Sequence, residues 1–372
     1  MTNRERVQAM LHYQKYDKIP VVSFGFWTET LRKWRDEGHI PANMVSNHPM
    51  ADAEYDGINH MLGFDFNWNS TAGLSQYLLD PLFKAEVIET YSDGKQRVCD
   101  CEGNYVIQKP GVVSIPSTAG HTLMDRESWE KHYLPKLCYG AEKLDLLELA
   151  KLKDEDASRE NPLGLFCGSM LGRLRNWLGL DNLAYLSVDD PELLRDMVDT
   201  IGELMYRQVK NILTYNIRFD YGHFWEDICG NDGPLVMPTL LDELAGPHYH
   251  RITDLLCEHG IDIVTVDCDG CIDHMVPIWL KHGVNTMFPI EVSHWNGSIG
   301  PWRKKYGKVL RGVGGMNKKV FAQDYSAIDR ELERMRPLVE LGGFIPCPDH
   351  RIPPDAKWEN VQYYCDRFRK FF

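Results

Sequence analysis

Carboxylates and imidazoles recur in this sequence just beyond short apolar runs, where separate strands can bring them to one point. His223, Trp225, Glu226 and Asp227 follow Ile217-Arg218-Phe219-Asp220-Tyr221, and Asp267-Cys268-Asp269-Gly270 follows the run 261–266. Glu291 and His294 follow the run 284–290, while Cys347, Asp349 and His350 follow the run 343–346. Oxygen donors with an imidazole can hold a hard divalent cation, or divide into a proton donor and a proton acceptor. Aromatic residues stand in matching places: Phe24, Phe26 and Trp27 after the first run, Trp225 after the fourth. Such rings would wall a site for a flat, apolar ligand.

Each group also has a structural reading. An acid just past a strand is often the N-cap of the next helix, which applies to Asp227 and Asp269. His223 could simply satisfy a neighbouring backbone group. Glu is a poor cap, so Glu226 points more firmly to chemistry. His350 lies in Pro348-Asp349-His350-Arg351-Ile352-Pro353-Pro354, a proline-stiffened loop suited to holding one side chain still. The pairs Cys99-x-Cys101 and Cys268-x-x-Cys271 lack the second CxxC that a structural zinc site would want. Most of the ten cysteines therefore read as small buried hydrophobes. The run Gly312-Val313-Gly314-Gly315 reads as a place where backbone turns at a strand end rather than as a phosphate cradle.

The elements that must position these residues alternate along the chain. Eight apolar runs (19–25, 63–68, 163–167, 217–221, 261–266, 284–290, 308–313 and 343–346) are expected strands. Helices fall between them. Asp190 caps one, with Pro191 at its first position and Leu193, Leu194, Met197 and Val198 as its apolar stripe; 240–259 and 324–341 are others. Strand–helix alternation implies parallel strands, and eight units suit an α/β fold of the (β/α)8 TIM barrel type, whose functional groups project from the strands' C-terminal ends. Residues 85–108 break the pattern with Asp-Gly and Gly-Asn turns, read as a small β-hairpin excursion within one domain spanning 1–372. The charged stretch 151–162 reads as a solvated loop.

Composition narrows the function classes. The 372 residues carry 41 Lys+Arg against 54 Asp+Glu, a formal charge of −13, which argues against a nucleic-acid partner. No apolar run is long enough to span a membrane, and the N-terminus Met1-Thr2-Asn3-Arg4-Glu5-Arg6 does not resemble a signal peptide. A cytosolic protein with free thiols is expected.

Several separated motifs resemble the uroporphyrinogen decarboxylase superfamily over nearly the whole length. They are Asn3-Arg4-Glu5-Arg6-Val7 with Asp17-Lys18-Ile19-Pro20-Val21, the stretch 163–182 with Asp189-Asp190-Pro191-Glu192-Leu193-Leu194, and Gly342-Gly343-Phe344-Ile345 through Pro353-Pro354-Asp355 to Glu359-Asn360. The resemblance implies a (β/α)8 barrel and suggests a homodimer. The decarboxylases follow their first strand with arginines that receive a polycarboxylate; here Ser23-Phe24-Gly25-Phe26-Trp27-Thr28-Glu29 stands there, which disfavours a porphyrinogen. In the cobamide-dependent methyltransferases of the superfamily, a His-x-Cys pair and a later Cys bind zinc. Asp267-Cys268-Asp269 and His350 occupy those places here.

A harder donor set suits a Lewis acid acting on oxygen. The resemblance thus implies an O-demethylase type of methyltransferase, passing a methyl group from a methoxylated small molecule, expected to be aromatic, to the cobalamin of a separate corrinoid protein. Zinc would be held by Glu226, Asp267, Glu291 and His350, with Asp269 as a substitute ligand or a group behind the ligands. His223, Asp227 and Asp269 would orient substrate or donate a proton, and Phe24, Phe26, Trp27 and Trp225 would hold it. The alternative is a metal-free decarboxylase or carbon–carbon lyase of a small acid, with Asp267 or Glu226 as general acid.

Overall fold

All eight expected apolar runs contain or adjoin a parallel strand in the computed structural model, which describes residues 1–45, 56–110, 117–137 and 146–372. Numbering follows the chain: β1 is Val22–Ser23, β2 Phe66–Asn67 and β3 Thr71–Gly73. Then come β4 Glu86–Thr90, β5 Gln96–Cys99, β6 Asn104–Gln108, β7 Ser117–His121, β8 Gly164–Gly168 and β9 Tyr221–Trp225. The short β10 Cys229–Gly230 and β11 Gly233–Pro234 precede β12 Val264–Asp267, β13 Thr286–Ile290, β14 Arg311–Met316 and β15 Phe344–Pro348.

Seven strands form one parallel sheet in the order β15-β14-β13-β12-β9-β8-β3, and β1 pairs with β2 in a separate parallel pair. Strand pairing is therefore not one unbroken ring of eight among the described residues. The two sheets meet beyond β15, where Phe26 bridges Ile352 in parallel and the Ile352 amide donates to the Gly25 carbonyl at 3.0 Å. Apolar residues of the strands, among them Val22, Leu165, Phe224, Val266, Met287, Val313 and Ile345, are fully buried against the helices or the sheet interior.

Helix 191–213 begins as its residues dictate. Asp190 accepts from the Leu193 amide at 2.9 Å, Pro191 takes the first position, and the stripe Leu193, Leu194, Met197, Val198 is buried. Two other expectations need correction. The excursion is larger than a hairpin, a four-stranded antiparallel sheet in the order β4-β5-β6-β7. Residues 151–155 are not loop but the end of helix Leu146–Glu155, which buries Leu149 and leaves its charges outside.

Two strand boundaries differ from the sequence pattern. The fourth strand starts at Tyr221, not Ile217, because Asn216 turns the chain at φ 54° and Asp220 spends its carboxylate on the Leu163 amide and Arg4. The seventh runs three residues further, to Met316. Its glycines are needed there: a Cβ at Gly314, φ 117°, would lie 2.5 Å from the Ile290 nitrogen.

Candidate active site at the strand ends

The C-terminal ends of β9, β12, β13, β14 and β15 gather most of the expected residues, and the strand alternation decides which of them face inward. In β9, Tyr221 and His223 face the interior rings, with His223 6.1 Å from Phe288 and 6.3 Å from Phe166. Phe224, of opposite parity, packs edge-on against Tyr249 of helix Gly246–Glu258 at 4.8 Å. His223 thus lies within its strand rather than past it. Its Nδ1 meets the Thr265 hydroxyl at 2.7 Å, and burial pushes its pKa down to about 3. A neutral imidazole can accept or donate a hydrogen bond, but it is no acid near neutral pH.

The pair at the centre is Asp269 and His350, 3.1 Å apart. His350 is held between rings, 5.2 Å from Phe24 and stacked on Trp27 at 5.7 Å. Trp27 is fixed in turn by its amide, which donates to Ile352 at 3.2 Å, and by its place at the start of helix Thr28–Asp36. Burial pulls the Asp269 pKa up, but the His350 hydrogen bond, with positive charge from His350, Lys318 and His294, leaves it below the ordinary carboxylate value. Glu291 behaves oppositely. It is buried and accepts from the Gly270 amide at 2.7 Å; burial and the negative charge of Asp269 raise its pKa. One carboxylate lowered below its ordinary pKa beside another raised above it is a division of labour suited to proton transfer.

Asp227 and Trp225 sit at the rim. Arg175 bonds both the carbonyl and, at 3.2 Å, the carboxylate of Asp227, and its guanidinium lies 5.9 Å from the Trp225 ring. Burial and the charge of Asp269 raise the Asp227 pKa against the pull of Arg175. Asp267 is the last residue of β12, in register with Trp225 and Phe288, and its carbonyl receives the Glu226 amide at 2.7 Å.

Glu226 does not belong to a metal shell. It is fully buried, and its carboxylate accepts from the Met170 amide (2.7 Å), the Gly172 amide, the Ser169 hydroxyl (3.4 Å) and the Tyr249 hydroxyl (2.6 Å). Those donors exhaust its lone pairs and tie the loop before helix Leu171–Leu178 to the end of β9. Among the described residues, no three His, Cys, Asp or Glu side chains converge as ligands of an ion. The set Glu226, Asp267, Glu291 and His350 therefore does not fit zinc as placed. Burial lifts the Cys268 thiol well above the ordinary range. Phe26 is corrected too. Gly25, at φ 88°, breaks the alternation after Phe24, so Phe26 turns into the core against Trp34 (5.7 Å) and Phe64 (6.5 Å) and is fully buried.

Sequence reasoning missed Lys318 and underused Asp349. Asp349, fully buried, accepts from the amides of Val292 (2.9 Å), Ser293 (2.7 Å) and Lys318 (3.1 Å), bracing the ends of β13 and β14 against β15. Lys318, 7% exposed, stands two residues past β14. The sequence pattern ends the seventh strand at Val313, before Gly314 and Gly315, and so leaves Lys318 five residues beyond it.

No family model matches the chain, and no curated protein sequence matches it. Solved structures do. A methyltransferase from Methanosarcina mazei is similar over 100% of this chain and 99% of that chain, with a TM-score of 0.64 and 15% sequence identity. The chain thus has the mixed α/β fold of that methyltransferase. No helix among the described residues is long and apolar enough to cross a membrane.

Proposed function

We propose that this chain is a methyltransferase that takes a methyl group from the oxygen of a methoxylated aromatic small molecule and passes it to the cobalamin of a separate corrinoid protein. One observation carries the reading: Asp269 hydrogen-bonded to His350, beside a buried Glu291 whose pKa burial and the charge of Asp269 raise, at an aromatic wall of a fold shared with a methyltransferase. We take the seven-stranded sheet and the β1–β2 pair as one (β/α)8 barrel in a single domain, joined at Phe26 and Ile352.

The corrinoid, when bound by its own protein, supplies the nucleophile that accepts the methyl group. This chain's residues do the rest. Phe24 and Trp27 hold the aromatic ring of the donor, and the partly exposed Trp225 marks the rim on the side of Arg175. Breaking the methyl–oxygen bond leaves an oxyanion, a poor leaving group unless it is protonated as it departs. Glu291 donates that proton, and His350, oriented by Asp269, returns one from solvent. Protonation thereby takes the place that the expected zinc ligands would have given a Lewis acid. A buried cation, Lys318, favours a second reading, a decarboxylase or carbon–carbon lyase of a small acid whose carboxylate it would bind.

Mixing the chain with methoxylated aromatics and a cobalamin-loaded corrinoid protein tests the proposal by the absorbance change on cobalt methylation. His350→Ala should slow that change by about 100- to 10,000-fold, the usual reach of acid–base catalysis. No methylation by the wild type with any such donor, or carbon dioxide release from an aromatic acid without the corrinoid protein, would move the assignment to the second reading.

A further inference from the structure

We propose that a cavity at the N-terminal ends of β8, β9 and β12, on the face opposite the strand-end site, binds a phosphate group through Arg4, Arg159 and Arg218. The inference goes beyond the functional reading above, because no residue of this cavity belongs to the strand-end site.

The cavity has a volume of about 710 Å³. Its walls come from segments that precede three neighbouring strands: Ala157 and Arg159 before β8, 216–220 before β9 and 259–261 before β12. The start of helix Asn3–Leu11 closes it. Chemistry in a parallel α/β fold belongs at the other ends of the strands, so cations gathered here serve either stability or a separate ligand.

Three guanidiniums meet two carboxylates in this place. Arg4 Nε donates to Asp220 at 2.6 Å, and Arg218 Nε donates to Asp156 at 2.8 Å. Arg159, its side chain only 12% exposed, must share acids that are already engaged: Nη1 lies 3.0 Å from Asp156 and Nη2 lies 3.6 Å from Asp220. Its Nη2 also donates to the Arg218 carbonyl, but neither Nε nor Nη1 forms a hydrogen bond with a described residue. Glu5, the other acid of the lining, accepts from the Thr2 amide at 2.8 Å. Burial, and then the positive charge of Arg4, pull the Arg159 pKa down against Asp220 and Asp156. A guanidinium held out of water beside another cation is unfavourable unless further negative charge answers it.

The class of ligand follows from the donors. A carboxylate offers two oxygens in one plane, enough for a single guanidinium fork. A phosphate brings more oxygens and up to two charges, so it can serve arginines that arrive from three separate segments. A turn of the Arg159 guanidinium about its last bonds gives its unmet donors those oxygens. The volume also admits a phosphate carried on a larger molecule, so the free ion and a phosphomonoester are the two sources of one chemistry.

Isothermal titration of the whole chain with inorganic phosphate and, separately, with adenosine monophosphate tests this, in chloride at constant ionic strength. The wild type should bind at least one of them saturably with a Kd below about 1 mM. Arg159→Gln and Arg218→Gln should each weaken that binding by at least about 10-fold, the reach of one charge-assisted hydrogen bond. Phosphate bound as tightly as the nucleotide assigns the cavity to the free ion, whereas tighter binding of the nucleotide assigns it to a phosphomonoester. No saturable binding of either probe, or undiminished binding in either folded variant, would overturn the proposal. If circular dichroism shows that Arg159→Gln does not fold, Arg218→Gln decides alone, since the Arg218 side chain is 57% exposed. Methyl transfer is not read in this titration, so a negative result leaves the functional reading as it stands.

Discussion

Replacing Glu226 by Ala separates a structural carboxylate from a catalytic one. The side chain is fully buried, and its removal strands the amides of Met170 and Gly172 and the hydroxyl of Tyr249 away from water. A buried donor left unsatisfied costs about 1–3 kcal/mol, so three of them, partly relieved by a water entering the gap, sum to about 3–5 kcal/mol. Unfolding entropy of about 2.1 cal/mol/K per residue over 372 residues converts 4 kcal/mol into a fall in Tm of about 5 °C. Glu226→Gln keeps one acceptor oxygen and should lose roughly half as much. Urea denaturation and calorimetry of the three proteins give the numbers. A loss below about 1 kcal/mol for Glu226→Ala would refute the hydrogen-bond account. Normal stability with abolished activity would return Glu226 to the reaction.

Two further outcomes follow from single side chains. His223, whose pKa burial lowers from 6.5 to about 3, binds a proton in the unfolded chain before it does so in the folded one. Its contribution is whole above about pH 6.5 and fades as pH falls towards 3, so wild type should lose about 2–3 kcal/mol more than His223→Asn between pH 6.5 and 4.5. The difference between the two proteins isolates this effect from Glu226, Asp227 and Glu291, whose raised values work in the opposite direction. Parallel urea titrations at both pH values would contradict it by giving equal losses. Glu102, in the turn between β5 and β6, binds Arg173 at 2.7 Å and the Trp177 indole at 3.1 Å. Glu102→Ala leaves Arg173 without its carboxylate, and amide exchange in β4, β5, β6 and β7 should quicken by at least about 10-fold; unchanged exchange would mean the sheet is held by other contacts.

Much of the architecture was legible because it is written in local pattern. Short β-branched runs alternating with amphipathic stretches call for parallel strands covered by helices whatever the rest of the chain does, and Asp190-Pro191 opens its helix as its chemistry requires. Boundaries were less legible. Ile217 and Phe219 are apolar but belong to a loop, so His223 moved from beyond a strand to inside it. At the seventh strand, glycine signals a stop in sequence, yet Gly314 and Gly315 continue β14 and carry the chain on to Lys318.

The sequence by itself determined the inventory of the site: acids, imidazoles and aromatic rings standing near strand ends. Tertiary structure decided which of them act together. Glu226 and Asp269 look equivalent along the chain, each just past a strand. Glu226 is saturated by donors from residues 169–172 and 249, whereas Asp269 meets His350, eighty-one positions away. Long-range hydrogen bonding of this kind leaves no periodic trace in a sequence. A carboxylate's role depends on how many donors the fold brings to its four lone-pair positions.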